Sequence, residues 1–263
     1  MNEKVVVFGG SGFLGSHVAD HLSEAGYDVY IYDLSSSKYL RTDQQMILGN
    51  ILDREKIDEA IKGSKYVYHF AAIADIKEAM ENPVEAVEVN VLSTVYILES
   101  CRKFHVERFI YGSTIYVYSD HGSFYRSTKQ ASELLIENYR DIYGLDHTIL
   151  RYGSLYGPRA NHFNFINRII IQAIKEHKIV RKGNGNELRE YIHIKDAARA
   201  SVEILASDYA NSNIMITGTK SMRVRDLLSM IKEIFNGKIE IEYTNDIIEE
   251  HYNITPYTFN YIF

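Results

Sequence analysis

No feature restricts the fold of this chain more than the junction Lys4-Val-Val-Val-Phe-Gly-Gly-Ser-Gly-Phe-Leu-Gly-Ser16. The apolar run Val5-Val-Val-Phe8 reads as a strand buried on both faces, as in a parallel sheet. It breaks off in Gly9, Gly10, Gly12 and Gly15. A helical pattern follows at once, with Phe13, Leu14, Val18, Ala19, Leu22 and Ala25 at helical spacing and a stop at Gly26. Strand, glycine turn and helix in this order fit the Gly-x-Gly-x-x-Gly dinucleotide fingerprint. Gly9 and Gly10 permit the tight turn, Gly12 lets a pyrophosphate approach the backbone, and Gly15 lets helix and strand pack closely. The exposed N–H groups and the dipole of the new helix then favour an anion.

A second strand, 27–33, ends in Asp33, eighteen residues after Gly15. A carboxylate there suits the ribose 2′-OH and repels a 2′-phosphate, which favours NAD over NADP; Lys38 and Arg41 nearby temper that preference. A third strand covers 46–48. Asp53 then opens a helix, either as its N-cap or as an adenine contact. The fourth strand, 66–72, ends in Phe70, Ala71 and Ala72, small enough at its end to leave room for a ligand. His69 within it reads as a packed histidine. From Pro83 a helix over 84–101 is apolar around much of its circumference, for packing within the monomer or at a dimer interface. A fifth strand, 108–111, closes on Gly112-Ser113-Thr114. Helix 126–143 stops at Gly144, and strand 147–151 follows. Strands separated by helices make a doubly wound parallel α/β sheet the expected fold.

Beyond Arg151 the texture changes to a turn-rich stretch, a helix at 163–176, a loop at 181–186 and a short strand at 191–194. A helix at 195–206, a strand at 213–216, a helix at 223–235 and a strand at 238–242 complete the chain. The expected division is a Rossmann domain over 1–152, with 190–207 packing back on it, and a smaller substrate lobe over 153–263.

A net charge of −6 without a basic stripe argues against nucleic acid as partner. One cysteine, Cys101, leaves no disulfide framework or cysteine zinc cluster, and no metal is expected. The first residues run straight into a strand, which leaves no room for a signal peptide. No apolar run reaches the ~18 residues of a membrane span, so no membrane partner is expected and the cytoplasm is the default location.

Tyr125 and Lys129 stand four apart at the start of a helix and so share one face. An ammonium there is expected to stabilise the phenolate and lower the tyrosine pKa toward neutrality. Such a tyrosine can exchange a proton with a sugar or alcohol oxygen. Thr114, at the end of the preceding strand, can offer a hydroxyl to the same oxygen, with Ser113 as its neighbour.

With these residues in view the chain resembles the extended short-chain dehydrogenase/reductases, in their NAD-dependent epimerase/dehydratase group acting on nucleotide sugars. The likeness covers nearly the whole chain. Gly9-Gly-Ser-Gly-Phe-Leu-Gly15, Asp33, Asp53, His69-Phe-Ala-Ala72, Asn90, Ser113-Thr114, Tyr125-x-x-x-Lys129, Leu150-Arg-Tyr152, Tyr156-Gly-Pro158 and Arg189-Glu-Tyr-Ile-His-Ile-Lys-Asp196 occur in the family's order.

The resemblance implies NAD as cofactor, in contact with Gly9, Gly12, Phe13, Leu14, Gly15, Asp33, Leu34, Asn50, Ile51, Asp53, Phe70, Ala71, Ala72, Asn90, Tyr125, Lys129 and Tyr152. It implies Thr114, Tyr125 and Lys129 as the catalytic set. It implies a nucleotide sugar, a UDP-sugar before others, held by Ser113, Thr114, Tyr125, Asn161, Asn164 and Arg189. Arg189 would grip the diphosphate, unless it pairs with Glu187 or Glu190. A homodimer through helices 84–101 and 126–143 is implied as well.

The family's dehydratases carry an acidic pair just after the catalytic threonine, where this chain has Ile115-Tyr116. The fucose-synthase-like members carry a cysteine in that region, and this chain has none. What remains resembles the 4-epimerases. A 4-reductase or dehydrogenase is the alternative, with a non-catalytic nucleotide-binding regulator behind it. The chain departs from the family in Phe8 before the glycines, in a short loop between Tyr118 and Tyr125, and in ending at Phe263, where the family continues; it is expected to be compact or to lack a tail.

Overall fold

Alternation along the first strand sets the layers. The computed structural model describes residues 2–244 and 251–256. In β1 (Lys4–Phe8) Val5 and Val7 enter one hydrophobic cluster, while Val6 and Phe8 enter another on the opposite face. Both faces are covered, which is why the run is apolar throughout. β1 pairs in parallel with β2 (Asp28–Asp33) on one side and β4 (Tyr66–His69) on the other. β3 (Gln44–Leu48), β5 (Arg108–Thr114), β6 (His147–Tyr152) and β10 (Ser212–Ile216) complete a parallel seven-stranded sheet in the order β10-β6-β5-β4-β1-β2-β3. The order reverses between β1 and β4, and a crevice opens there at the carboxyl ends of the strands.

Helices α1 (Phe13–Glu24) and α8 (Ile194–Glu203) pack together on one face of the sheet. The other face carries α2 (Arg54–Ile61), α5 (Ser93–Lys103) and α6 (Ser123–Tyr143). Local chemistry explains their limits. Asp53 caps α2 by accepting from the Lys56 N–H at 3.2 Å. Gly144, at φ +72°, ends α6. Asp75 caps a short helix, α3 (Ile76–Glu81), that the sequence reading did not separate from its surroundings.

The long helix expected over 84–101 is not regular. α4 (Pro83–Val87) runs through a π-helical turn, 88–92, into α5. Asn90 lies buried within that turn. Its side chain accepts from the Ile73 N–H at 2.8 Å and donates to the Ile73 carbonyl at 3.1 Å and the Thr128 hydroxyl at 3.0 Å. The wider turn lets one residue leave the regular ladder and bind its neighbours.

The smaller lobe holds a three-stranded sheet of β11 (Ser221–Arg223), β9 (Leu188–His193) and β7 (Ser154–Tyr156), and a parallel pair of β8 (Lys178–Lys182) with β12 (Glu240–Thr244). Helices α7 (Phe165–Glu176) and α9 (Val224–Ile234) cover a third cluster around Ile169, Ile179 and Leu228. The stretch read as a loop from 181 begins as the end of β8. α8, within the 190–207 segment, packs back on the central sheet layer, and β10, beyond that segment, adds the edge strand of the same sheet. The chain end at Phe263, where the resemblance leads one to expect more, lies outside the described residues. Among the described residues no helix is long and apolar enough to cross a membrane, and no three His, Cys, Asp or Glu side chains stand where they could hold a metal ion.

Gly15 of α1 sits tight against the glycine turn that follows β1: a Cβ on it would lie 2.2 Å from the Gly9 carbonyl oxygen. Both atoms are backbone or fixed to it, so neither can swing aside. Gly15→Ala is expected to destabilise the fold by about 2–3 kcal/mol, an overpacking cost. A shift of the urea midpoint at unchanged slope measures it; a variant as stable as the parent would show that α1 is free to move.

Candidate active site

The crevice is built first by glycine. Gly9 has φ +78°, and a Cβ on it would meet the Ala71 nitrogen at 2.5 Å. It thus serves both the turn and the close approach of the β4 end. Gly10 is at an ordinary φ; the Ile31 side chain, 2.8 Å from the site of its Cβ, is what excludes a larger residue. Gly12 is the N-cap of α1, exposed, with no side chain satisfying the first N–H groups of the helix and no acid in its first turn. These unpaired donors and the open backbone fit a pyrophosphate. Phe13 and Leu14 begin the helix beside them.

Asp33 ends β2 at the same edge. Its Oδ2 accepts from the Ser11 N–H at 3.0 Å, so the carboxylate braces the glycine loop as well as facing the crevice. Arg41 is not free to greet a 2′-phosphate. Its guanidinium binds Asp43 through two bonds of 2.9 Å and Glu24 at 3.2 Å. The donor set therefore suits a ribose with two free hydroxyls, and NAD fits it. Leu34 and Asn50 are exposed along this rim and Ile51 is buried beneath it. Asp53 serves α2 as its cap, which accounts for it structurally. Phe70, Ala71 and Ala72 line the β4 side half-buried.

Two expected cofactor residues lie deeper. Asn90 is occupied with Ile73 and Thr128, as described. The Tyr152 hydroxyl is buried against Ser201 Oγ at 2.6 Å, and only its ring approaches the crevice, 6.4 Å from that of Phe70. His69 is a packed histidine. Its Nε2 bonds the Thr94 hydroxyl at 3.2 Å, and burial pulls its pKa down to about 3.

The catalytic candidates meet where β5 ends against α6. Lys129 is 3% exposed. Its Nζ donates to the Gly112 carbonyl at 2.7 Å and lies 4.6 Å from the Tyr111 ring centroid. Burial pulls its pKa down to about 7, opposed by the charge of Glu133 one turn further along α6. Tyr125 is half-buried, with its ring centroid 6.0 Å from the Lys129 ammonium. The Tyr125 phenol departs from expectation. Burial pushes it up to about 12, partly offset by a hydrogen bond from Thr114. Lys129 does not lower it, because its ammonium faces the Gly112 carbonyl and the Tyr111 ring. Thr114 Oγ1 also accepts from the Tyr116 N–H at 3.3 Å, which starts a 3₁₀ turn, Ile115–Tyr118.

Ser113 is not turned to the crevice. Strand alternation aims it at α6, where its hydroxyl donates to Glu133 at 2.5 Å. Glu133 also binds Arg151, at 2.6 and 3.1 Å. Glu133 stands four residues after Lys129, a spacing that puts both on one face of α6, but its partner Arg151 comes from β6 and has no local signature.

In the smaller lobe, Asn164 caps α7, accepting from the Asn167 N–H at 3.1 Å and donating to the Leu155 carbonyl at 2.8 Å. Asn161 accepts from the Asn164 N–H at 3.1 Å. Both are engaged in shaping this loop. Arg189 forms no ion pair with Glu187 or Glu190. Glu187 binds Arg181, while Glu190 accepts from Ser221 at 2.7 Å. The Arg189 guanidinium lies 4.2 Å from the Tyr252 ring centroid and donates to the Leu188 carbonyl at 2.7 Å. Its remaining donors are suited to phosphate oxygens.

Comparison with known proteins agrees with this geometry. The family model of the NAD dependent epimerase/dehydratase family matches residues 5–216. A Methanocaldococcus jannaschii protein, provisionally named UDP-glucose 4-epimerase, is 30% identical over 95% of this chain and 88% of its own. A UDP-N-acetyl-alpha-D-glucosaminuronate decarboxylase of Bacillus cytotoxicus is also 30% identical, over 92% of this chain and 83% of its own. Among solved structures, the UDP-glucuronic acid 4-epimerase of Bacillus cereus, in complex with UDP-glucuronic acid and NAD, superposes with a TM-score of 0.88 at 25% identity, covering 96% of this chain and 89% of that one. From the matched family model, the glycine crevice and the Thr114–Tyr125–Lys129 cluster together, the chain belongs to the NAD-dependent epimerase/dehydratase family of extended short-chain dehydrogenase/reductases.

Proposed function

We propose that the chain interconverts C4 epimers of a UDP-sugar, using NAD that it retains through the cycle. The observation that carries this reading is the meeting of Thr114, Tyr125 and Lys129 at the mouth of the glycine crevice, with Ile115-Tyr116 where the family's dehydratases have acids. NAD, when bound, would supply the acceptor and donor of the C4 hydride. Tyr125, as the phenolate, takes the proton of the 4-hydroxyl while hydride leaves C4, and as the phenol gives it back when hydride returns to the other face of the 4-keto sugar. Thr114 orients the sugar oxygen toward Tyr125. Lys129, anchored on the Gly112 carbonyl one helical turn from Tyr125, is placed to hold the cofactor ribose. Arg189 holds the diphosphate, so the sugar ring alone is free to rotate. Because hydride and proton both return, no net oxidation results; a 4-reductase would instead change the nicotinamide absorbance in step with product.

Pairing with a second copy through α6 and the helical stretch 84–101 is part of the proposal. Val84 (72% exposed), Leu134 (62%) and Ile142 (69%) stand outward on these helices and favour a buried partner. A cytoplasmic setting is proposed with it, on the strength of a single, buried cysteine.

Tyr125→Phe is expected to lower the rate of UDP-sugar interconversion by ~10²–10⁴ with bound NAD retained. Chromatography of the sugar nucleotides and of the released cofactor measures both, and unimpaired interconversion would sink the reading. Lys129→Met isolates the buried ammonium. The folded pKa of about 7 lies below the ordinary 10.5, so between these values the unfolded chain binds the extra proton and stability rises with pH. Below about 7 both states are protonated and the full penalty is present. From pH 7 to 10 the parent should gain on the order of 3 kcal/mol relative to Lys129→Met in denaturant melts; parallel pH profiles would refute it. Leu134→Glu combined with Ile142→Glu should convert a dimer to a monomer in sedimentation velocity, whereas a parent that sediments as a monomer would refute the pairing.

A further inference from the structure

Between the diphosphate grip and the proton carrier runs a row of aromatic side chains that the catalytic set does not use. Tyr116 packs edge-to-face on Tyr125, with ring centroids 6.4 Å apart. Its other side meets Tyr252 at 5.0 Å, and Tyr252 in turn carries the Arg189 guanidinium. The order of contacts is therefore Tyr125, Tyr116, Tyr252, Arg189. A nucleotide sugar held by its diphosphate at Arg189 and reacting at Tyr125 has to lay its hexose along this row.

Tyr116 is fixed from several directions. Its hydroxyl bonds His251 Nδ1 at 2.5 Å. Gly122, at φ +99°, leaves room for its ring, since a Cβ there would lie 2.9 Å from Tyr116 Cδ1. Only residues 119–122 separate the 3₁₀ turn from α6, and Gly122 at the end of this loop lies against the ring. The cover comes from His251 and Tyr252, whose segment is tied to β9 by the Leu188 N–H to the Asn253 carbonyl at 2.9 Å.

We infer that Tyr116, held by His251, forms the wall against which the hexose packs, and that His251 acts as its positioning residue. This rests on the UDP-sugar reading of the same site. The pair is suited to an uncharged role. Burial raises the Tyr116 phenol, and burial together with Arg189, Arg181 and Arg168 pulls His251 down to about 4, with Asp75 opposing. A neutral imidazole accepts from a neutral phenol, and no proton is offered to the sugar. The aromatic face meets the C–H face of a pyranose, while leaving C4 to Tyr125 and Thr114.

Calorimetric titration of the NAD-loaded protein tests this with UDP, UDP-glucose, UDP-N-acetylglucosamine and UDP-glucuronate. The parent should bind at least one UDP-sugar more tightly than UDP. For that sugar, Tyr116→Phe and His251→Ala should each weaken binding about tenfold and leave UDP binding unchanged. KM should rise in parallel, with kcat within about twofold. The double variant should be no weaker than either single one. His251→Asn, whose side-chain oxygen can accept from the phenol, should recover most of the lost affinity. Sugar affinity untouched by both substitutions, equal losses for UDP and UDP-sugar, or a parent that gains nothing from the sugar would each overturn the wall. The affinity readout does not need turnover. A parent that binds a UDP-sugar through Tyr116 without interconverting it would refute the epimerase and leave the wall standing.

Discussion

The buried ammonium of Lys129 is the constraint around which the reacting end of the crevice is arranged. A charge taken out of water is stable only with fixed partners. Three consecutive β5 residues provide them. Tyr111 offers its ring face, Gly112 its carbonyl, and Ser113 secures Glu133, whose charge opposes the loss of the Lys129 proton. Arg151 from β6 balances Glu133 in turn. Only Thr114, the last residue of the strand, is left to face Tyr125. The registers of β5 with α6 and of β5 with β6 are thus fixed by the same few polar contacts, and a small slip would unpair a buried charge.

Much of this was legible in the sequence because it is local or periodic. The β1 run, the glycine turn and the Tyr125–Lys129 spacing each lie within a few residues, and the alternation of apolar strands with helices declared the parallel sheet. Asp53 and Gly144 could be read as helix ends for the same reason. The Lys129–Tyr125 electrostatics could not. Spacing placed both on one face of α6, but the direction in which Nζ points depends on Gly112, which another element brings. The π turn at 88–92 escaped too, since its cause is Asn90 bonding Ile73, across a contact that no periodicity reveals.

The smaller lobe was harder to read because its pieces come from far apart. β9 lies between β7 and β11, and β8 pairs with β12 across some sixty residues of chain. Arg189 was singled out by its motif, yet its partner Tyr252 has no local signature. Asn161 and Asn164 carried the opposite ambiguity: a side chain fit for a sugar hydroxyl is also fit for a helix cap, and the backbone donors of α7 are nearer.

These two kinds of construction divide the chemistry. Removing and returning a hydride at C4 needs only the first lobe, where contacts are short in sequence and glycine leaves little freedom. The fate of the oxidised sugar depends on which group stands beside the rest of its ring, away from the 4-keto carbon held by Thr114 and Tyr125. In a family named for both epimerases and dehydratases, an acid there can move a second proton and commit the intermediate to a new product. On the proposed reading, a phenol held protonated by burial and tied to a neutral histidine cannot. With no second proton to exchange, the intermediate has only one exit, return of hydride to one face or the other. A ring held at its diphosphate and resting on a flat aromatic wall can present either face, so the same wall that withholds acid chemistry also permits the turn that epimerisation requires.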